Sequence, residues 1–281
     1  MPSKIRSQSG QFCKMPFNPW RKKVKTLFAV GCLAVLALAA GSVAKANDLN
    51  LKGPYIGVAI GEFVARSDAQ TTTVFSSSGY FGMTSVTAIG VSGAQRTRPV
   101  GFIGSGLVGY NFLQNGNVML GAEVDFGVLH ANDVKTVTTT YPCCAGTAFT
   151  ITQQVSANWL GTARPRVGYV VGRVLIYGTG GLAAIHTDMH ELFTDTFAAA
   201  QQSGVVVQNA IGWTVGGGIE YAAVNHWSVR AEYLHAAFGR GTATSTNLTA
   251  TSAPGTFPVN VFTNSADFHA GMLRVCFTRR F

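Results

Sequence analysis

Eight segments of the chain alternate apolar residues with small or polar ones at a period of two, the spacing at which successive side chains of a β-strand point to opposite faces. The pattern is cleanest in the third segment, where Val124 and Phe126 share one face while Glu123 and Asp125 share the other. Eight segments of this kind predict an all-β chain. In order they are Gly53–Phe63, Val100–Phe112, Val118–Val128, Asn158–Val170, Val174–Ile185, Ala210–Tyr221, Trp227–Tyr233 and Ala266–Phe281.

The connections between these segments alternate between long and short. A barrel that crosses a membrane shows this asymmetry, because its periplasmic turns are tight while its outward loops are free to grow. The connections of a soluble sandwich are not expected to alternate between long and short along the chain. We therefore predict an eight-stranded antiparallel up-and-down transmembrane β-barrel with short periplasmic turns and long outward loops. The long connections are Val64–Arg98, Leu129–Ala157, His186–Asn209 and Ala236–Ser265, and the short ones are Leu113–Asn117, Val171–Arg173 and Ala222–His226.

The closing segment, Ala266 to Phe281, ends on an aromatic residue. Phe281, Phe277 and Val275 share a largely apolar face, and the opposite face is mixed and basic. An edge strand of a soluble sandwich would alternate in the same way, so the segment supports a barrel only together with the loop parity. A terminal aromatic on the apolar face resembles the signal by which outer-membrane barrels are recognised by their assembly machinery. Tyr169, Tyr221 and Trp227 flank the short turns, where an aromatic girdle belongs.

The first 46 residues have the features of a signal peptide with an N-terminal extension. A basic region around Arg21 is followed by an apolar stretch from Thr26 to Ala40 and by the cleavage motif Ala44-Lys45-Ala46. These residues hold eight of the 21 Lys and Arg side chains and no acid, so residues 47–281 carry 13 basic and 12 acidic residues. The net charge of +9 therefore belongs to the leader and gives no case for nucleic acid. Met1 and Met15 both remain candidate start sites.

Eight charged side chains fall on the strand faces that point away from lipid. Facing lipid, an arginine would cost about 2–4 kcal/mol at the bilayer midplane, so alternation places all eight in the lumen. They could form an ion-selective path, but eight strands enclose a space just wide enough for side chains. We favour an ion-pair network that plugs the lumen, with Glu123 and Asp125 facing Arg164 and Arg166. The eight residues are Glu123, Asp125, Arg164, Arg166, Glu220, Arg230, Glu232 and Arg274.

The sequence offers little for metal or cofactor chemistry. Cys143 and Cys144 are adjacent in a polar segment and can form a vicinal disulfide in an oxidising compartment. The mature chain keeps three cysteines, an odd number that does not make a disulfide framework. No histidine stands near the pair at metal-ligand spacing. We predict no metal site and no cofactor.

No residue pattern indicates catalysis. A lipid deacylase site on the outer wall would need a serine and an acid near His235, and the stretch around His235 lacks both. His186 and His190 lie at the edge of a long connection, where solvated loop residues are expected. Proteases of the outer membrane use larger barrels. We predict no catalytic residues and no enzymatic activity.

Three stretches resemble a known family: GYNFLQNGNVMLGAEVDF (Gly109 to Phe126), WLGTARPRVGY (Trp159 to Tyr169) and GWTVGGGIEYAAVNHWSVRAEYLHAAFG (Gly212 to Gly239). They are similar to the small porin-like immunogenic surface proteins, which belong to the OmpA-like, opacity-type eight-stranded barrels. The chain departs from the family pattern at Pro165, where glycine is frequent, and at Arg279, where an aromatic usually stands. The resemblance implies envelope integrity, surface interaction and at most slight porin activity.

The expected function is therefore that of a non-enzymatic outer-membrane barrel that contributes to envelope structure and surface interaction. A small-conductance porin for ions or small solutes is the first alternative. An adhesin or ligand-binding protein that acts through its long loops is the second. The expected partners are outer-membrane lipids and lipopolysaccharide, the barrel-assembly machinery and periplasmic chaperones. We expect a monomer in the Gram-negative outer membrane after cleavage following Ala46.

Overall fold

The chain folds into one antiparallel sheet that closes on itself. The structure is a computed structural model that describes residues 50–223, 226–252 and 255–281, so the predicted signal peptide lies outside the described residues. In chain order the elements are β1 (Gly53–Thr73), α1 (Met83–Ser92), β2 (Gln95–Thr97), β3 (Val100–Asn115), β4 (Val118–Thr140), β5 (Ala148–Val171), β6 (Val174–Asp195), β7 (Ala200–Ala222), β8 (Trp227–Ser245), β9 (Thr249–Ala250), β10 (Gly255–Thr256) and β11 (Phe262–Arg280).

Eight of these strands make a complete hydrogen-bonded ring. Pairing runs from β1 through β3, β4, β5, β6, β7, β8 and β11, and β11 pairs back onto β1. The short strand β2 pairs with β1, and β9 and β10 extend the edge of β7. The predicted eight-stranded antiparallel barrel is confirmed. Within the described part of the chain, no helix is long and apolar enough to cross a membrane.

Alternation along each strand separates an apolar outer wall from a filled interior. On β4, Val124 and Phe126 are more than half exposed on the outer wall, while Glu123 and Asp125 are buried. The outer wall is mainly apolar from the turn rim up to a level marked by Val128 on β4, Trp159 on β5 and Trp213 on β7, with Glu62 and Arg279 as charged exceptions. We take this zone, here named the apolar band, as the membrane-spanning part of the barrel, since lipid favours apolar side chains there.

The strands are longer than the sequence pattern predicted. Most residues of the four long connections continue the strands above the apolar band, and two of those connections shrink to residues 141–147 and 196–199. Above the band the outer wall meets water and carries many polar residues, and on β4 most of the inward positions are also polar, so the apolar signal disappears there. Threonine nevertheless favours strands, and Thr136 and Thr138 of β4 pair with Thr152 and Thr150 of β5 at Oγ1–Oγ1 distances of 3.1 and 2.9 Å.

The turns at the opposite rim are as short as predicted. Gly116 and Gly172 have φ of +55° and +60°, backbone values that suit glycine in tight hairpin turns. Pro165 has no N–H to donate, and the paired positions of β5 and β6 pass from Ala163 directly to Arg166.

Inward-facing side chains fill the barrel in layers. The eight charged residues lie nearest the turn rim, apart from a few apolar side chains beneath them such as Met119 and Leu175. Above the charges lies a middle apolar layer that includes Phe63, Leu160 and Met272. A second apolar layer, the cap, closes the outward rim. It contains Ile89 of α1 and the aromatic rings of Phe81, Phe149, Phe193 and Phe262.

A polar layer is enclosed between the middle apolar layer and the cap. On β6 the inward residues Met189, Glu191 and Phe193 belong in turn to the middle layer, the polar layer and the cap. On β5 the same order is Val155, Gln153 and Ile151. We name as the upper polar layer the residues Thr71, Gln153, Glu191, Gln202 and Asn264. A solute crossing the barrel would have to pass two apolar layers.

Candidate functional site: the charged interior of the barrel

The eight predicted residues of the lower interior, four arginines and four carboxylates, carry no net charge among themselves, and Arg280 adds a fifth buried guanidinium near the turn rim. Each of the eight residues is at most 4% exposed. They come from five strands, β4, β5, β7, β8 and β11, and each stands at the inward parity of its strand. Buried charges of this kind persist only when they are paired and hydrogen-bonded, because desolvation penalises an isolated ion.

Arg164 of β5 is the centre of the network. Its Nη2 lies 2.8 Å from Glu123 Oε1 and 2.7 Å from Asp125 Oδ2, and its Nη1 lies 3.3 Å from Glu232 Oε1. Glu123 stands directly opposite Arg164 in the β4–β5 register. One guanidinium thus joins three carboxylates from two strands that are not neighbours in the sheet, β4 and β8.

Arg274 of β11 completes the same cluster from the other side of the lumen. It forms two hydrogen bonds of 3.1 Å with the carboxylate of Asp125 and also contacts Glu232 Oε1. Arg230 of β8 contacts Glu123 Oε2 at 2.7 Å. Because these contacts cross the barrel, the network ties β4 to β8 and β11.

Arg166 takes a different partner from the one expected. The sequence placed it against Glu123 and Asp125, but its Nη1 lies 3.2 Å from Glu220 Oε2 and 3.9 Å from Glu123 Oε2. The register explains the difference, since Arg166 stands opposite Gly121, which offers no acid. The side chain reaches across the lumen to β7 instead.

Two tyrosines that the sequence analysis did not identify belong to the network. Tyr55 Oη donates to Glu123 Oε2 at 2.8 Å, and Tyr177 Oη donates to Glu232 Oε2 at 2.7 Å. The guanidinium carbon of Arg166 lies 4.8 Å from the Tyr55 ring centroid and 5.2 Å from that of Tyr177. Tyr55 could have been predicted from the sequence, because it stands at an inward position in the alternation of β1. Tyr177 could not, because nearby glycines on β6 give no signal in the sequence of which face points inward.

The upper polar layer holds a single carboxyl group among amides and a hydroxyl. Gln153 Nε2 donates to Thr71 Oγ1 at 2.8 Å, and Thr71 Oγ1 donates to Asn264 Oδ1 at 2.7 Å. Glu191 is 2% exposed, and the amides of Gln202 and Asn264 stand next to its carboxyl group without reaching hydrogen-bond geometry.

Burial raises the pKa of Glu191 to about 8, and the nearby amides of Gln202 and Asn264 lower it only in part. Glu191 lies on β6 above the apolar band, beyond His186. Because its pKa of about 8 is above neutral pH, its carboxyl group is mainly protonated at pH 7.

The remaining predicted residues lie at the two rims. Phe281 and Phe277 are 65% and 45% exposed on the outer wall of the closing strand, and Val275 stands half-buried beside them. At the outward rim, Cys143 and Cys144 are joined as a vicinal disulfide in the loop of residues 141–147. Cys144 packs against the cap.

His186, one of the histidines weighed as a catalytic candidate, has Asp188 beside it, but the hydroxyl of Ser156 donates to the backbone carbonyl of Asp188 rather than to the imidazole. His186 Nε2 lies 3.4 Å from Asp188 Oδ1, and its Nδ1 lies 2.7 Å from Asn209 Oδ1. The imidazole ring of His235 packs near Trp213 and His269 on the outer wall. Across the described ranges, no three His, Cys, Asp or Glu side chains come together as a metal site.

Comparison with known proteins places this barrel among bacterial envelope proteins. A family described as "Outer membrane protein beta-barrel domain" matches residues 32–269. The 31 kDa outer-membrane immunogenic protein of Brucella melitensis is 32% identical over 151 residues, which is 53% of this chain and 59% of that protein. The 22 kDa outer membrane protein of Rhizobium leguminosarum bv. viciae is 31% identical over 137 residues, 48% of this chain and 52% of that protein.

The alignments thus span little more than half the length of these relatives. Among solved structures, the outer membrane protein OprG from Pseudomonas aeruginosa is similar over 82% of this chain and 97% of its own, with 11% identity and a TM-score of 0.39.

Proposed function

Because the chain belongs to the outer membrane protein β-barrel domain family, we propose that it is a non-enzymatic structural barrel of the outer membrane whose lumen is closed to solutes. The observation that carries the proposal is the filling of the interior. Four arginines and four carboxylates occupy its lower part, and two apolar layers lie above them. A conducting pore needs a continuous polar path instead.

Conductance in a planar bilayer tests the closed lumen. The folded protein is expected to give no steady conductance steps above the bare bilayer, because a permeating ion would have to displace buried ion pairs and cross the middle apolar layer. A known porin inserted in the same bilayer serves as the positive control, and heat-dependent gel migration verifies that the sample is folded. Steady ohmic steps from folded protein would replace this proposal with the small-conductance porin.

Surface interaction is the second candidate function, and the upper barrel favours it. The strands continue well above the apolar band and end in a cap stabilised by aromatic contacts, such as that between Phe81 and Phe193, whose ring centroids lie 5.5 Å apart. Asp195 organises this rim, since its Oδ2 accepts hydrogen bonds from Tyr80 and Tyr141 at 2.7 and 2.9 Å. A wall of this height would present an ordered surface outside the membrane.

The orientation of the barrel is tested by protease access. A protease site inserted between Ala145 and Gly146 should be cut on intact cells, because that loop lies at the rim we assign to the outside. The same insertion between Gly172 and Arg173 should be protected until the envelope is opened. Reversed accessibility would refute the orientation, while heat-dependent migration of both variants controls for folding.

A further inference from the structure

A groove on the outer wall, between β1, β11 and β8, has no role in the closed-barrel function. Its volume is about 710 Å³. It forms where Gly271 stands between Val64 and His235 in the sheet register, because glycine places no side chain over the wall at that point. A Cβ at Gly271 would lie 3.1 Å from Tyr233 Oη, so the tyrosine side chain lies over the floor of the groove.

The groove crosses the upper edge of the apolar band. Its lower lining, Leu273, Val64 and Tyr233, is apolar or aromatic, and Val64 and Tyr233 are exposed toward lipid. Its upper lining, Arg66 and Arg98, is charged and exposed above the band. A ligand that fits both parts has an apolar portion below and an anionic portion above.

The charge of the upper lining is incompletely neutralised. Arg66 Nη2 lies 2.9 Å from Asp68 Oδ2, but the same carboxylate also pairs with Arg96 at 2.6 Å. The guanidinium of Arg98 has no carboxylate within 4 Å in the described part of the chain, although its backbone N–H donates to Asp133. The rings of His235 and His269 stack at 6.5 Å beside these arginines and add N–H donors. Guanidinium and imidazole donors suit a phosphate group.

Glu62 is the second, independent observation. It stands on the outer wall between Phe102 and Leu273 in register, at the lower end of the groove, and no basic side chain among the described residues lies within 4 Å of it. A carboxylate that faces lipid without a partner is costly and indicates a functional site. It would accept a hydrogen bond from a hydroxyl or amide group located between the phosphate and the acyl chains.

We propose that this groove binds a phosphorylated amino-sugar lipid of the outer leaflet. Its phosphate contacts Arg66 and Arg98, its amide or hydroxyl group donates to Glu62, and an acyl chain lies along Val64 and Leu273. The proposal depends on the membrane orientation of the proposed function but not on whether the lumen is closed.

Lipid retention measured by native mass spectrometry tests the proposal. The folded protein is incubated in detergent with equal amounts of lipid A, phosphatidylglycerol and phosphatidylcholine. We expect lipid A to be retained over phosphatidylcholine, and Arg66→Gln with Arg98→Gln to weaken lipid A retention about tenfold or more, the loss typical of a charge-assisted hydrogen bond. Lys52→Gln with Lys135→Gln removes the same charge from exposed positions outside the groove and should change nothing.

Two further arms separate the alternatives. Gly271→Val fills the recess while it keeps every charge, so it should also weaken lipid A retention. The variant is expected to fold, because a β-branched residue on the outer wall is compatible with a strand. Inorganic phosphate should fail to displace lipid A. Displacement by phosphate would reduce the groove to an anion site, and equal retention of all three lipids or an unaffected arginine double variant would overturn the proposal. Conductance remains the separate test of the closed lumen.

Discussion

Replacing Arg164 by alanine is expected to lower the free energy of unfolding by about 3–5 kcal/mol, the range for breaking a buried ion pair from one side. Arg164 contacts Glu123, Asp125 and Glu232, and the substitution leaves the eight-residue network with one excess negative charge. Urea unfolding in lipid vesicles, followed by tryptophan fluorescence, measures the change. The variant is also the one most expected to leak in a planar bilayer.

A second substitution distinguishes ion pairing from simple loss of packing. Adding Asp125→Asn to Arg164→Ala restores charge balance, so the double variant should recover part of the lost stability. Arg240→Ala, which breaks only the exposed pair with Asp267, should cost about 0–1 kcal/mol. A double variant whose loss equals the sum of the two single losses would show that the network contributes no coupled stabilisation.

Replacing Glu191 by glutamine is expected to remove a pH dependence of stability on the order of 5 kcal/mol. The folded-state pKa of about 8 exceeds the ordinary value of 4.5, so the unfolded chain releases this proton at lower pH than the barrel does. Stability should therefore fall as pH rises from about 4.5 to about 8 and level off above that range. At pH 8 and above, Glu191→Gln should be the more stable protein.

Unfolding curves recorded at several pH values test this expectation. The glutamine variant should lose most of the slope between pH 5 and pH 8, whereas Asp133→Asn, at a more exposed position, should keep the wild-type slope. Parallel pH profiles for wild type and Glu191→Gln would mean that Glu191 is already solvated or paired in the folded barrel.

The facing of the strands in the apolar band followed from the sequence because lipid and lumen demand opposite residues. Val124 and Phe126 could only face outward if Glu123 and Asp125 faced inward. The partner of Arg166 did not follow, because alternation gives the side of the wall but not which residue lies across the lumen. Glu220 is 54 residues away in sequence from Arg166 and meets it only once the sheet closes.

The upper barrel was missed for a related reason. Where both faces of a strand are polar, as around Thr136 of β4, period-two contrast disappears and the segment resembles a loop. On β5 the contrast persists, with Phe149 and Ile151 inward and Thr150 outward, and it was overlooked within a long polar connection. A register shift between Ala157 and Trp159 also reverses the inward parity of β5, so Gln153 and Arg164 point into the same lumen from odd and even positions. The outer groove was equally hidden, since His235 and His269 belong to different strands.

The extension of the strands above the apolar band changes what an antibody would meet at the cell surface. Neighbouring positions on that wall, such as Thr138 and Thr150, come from different strands and are held side by side by the hydrogen-bonded ladder. An epitope there is assembled from at least two segments and is rigid before binding. A short linear peptide copied from one segment lacks the adjacent strand, so it would reproduce neither the shape nor the spacing of that surface.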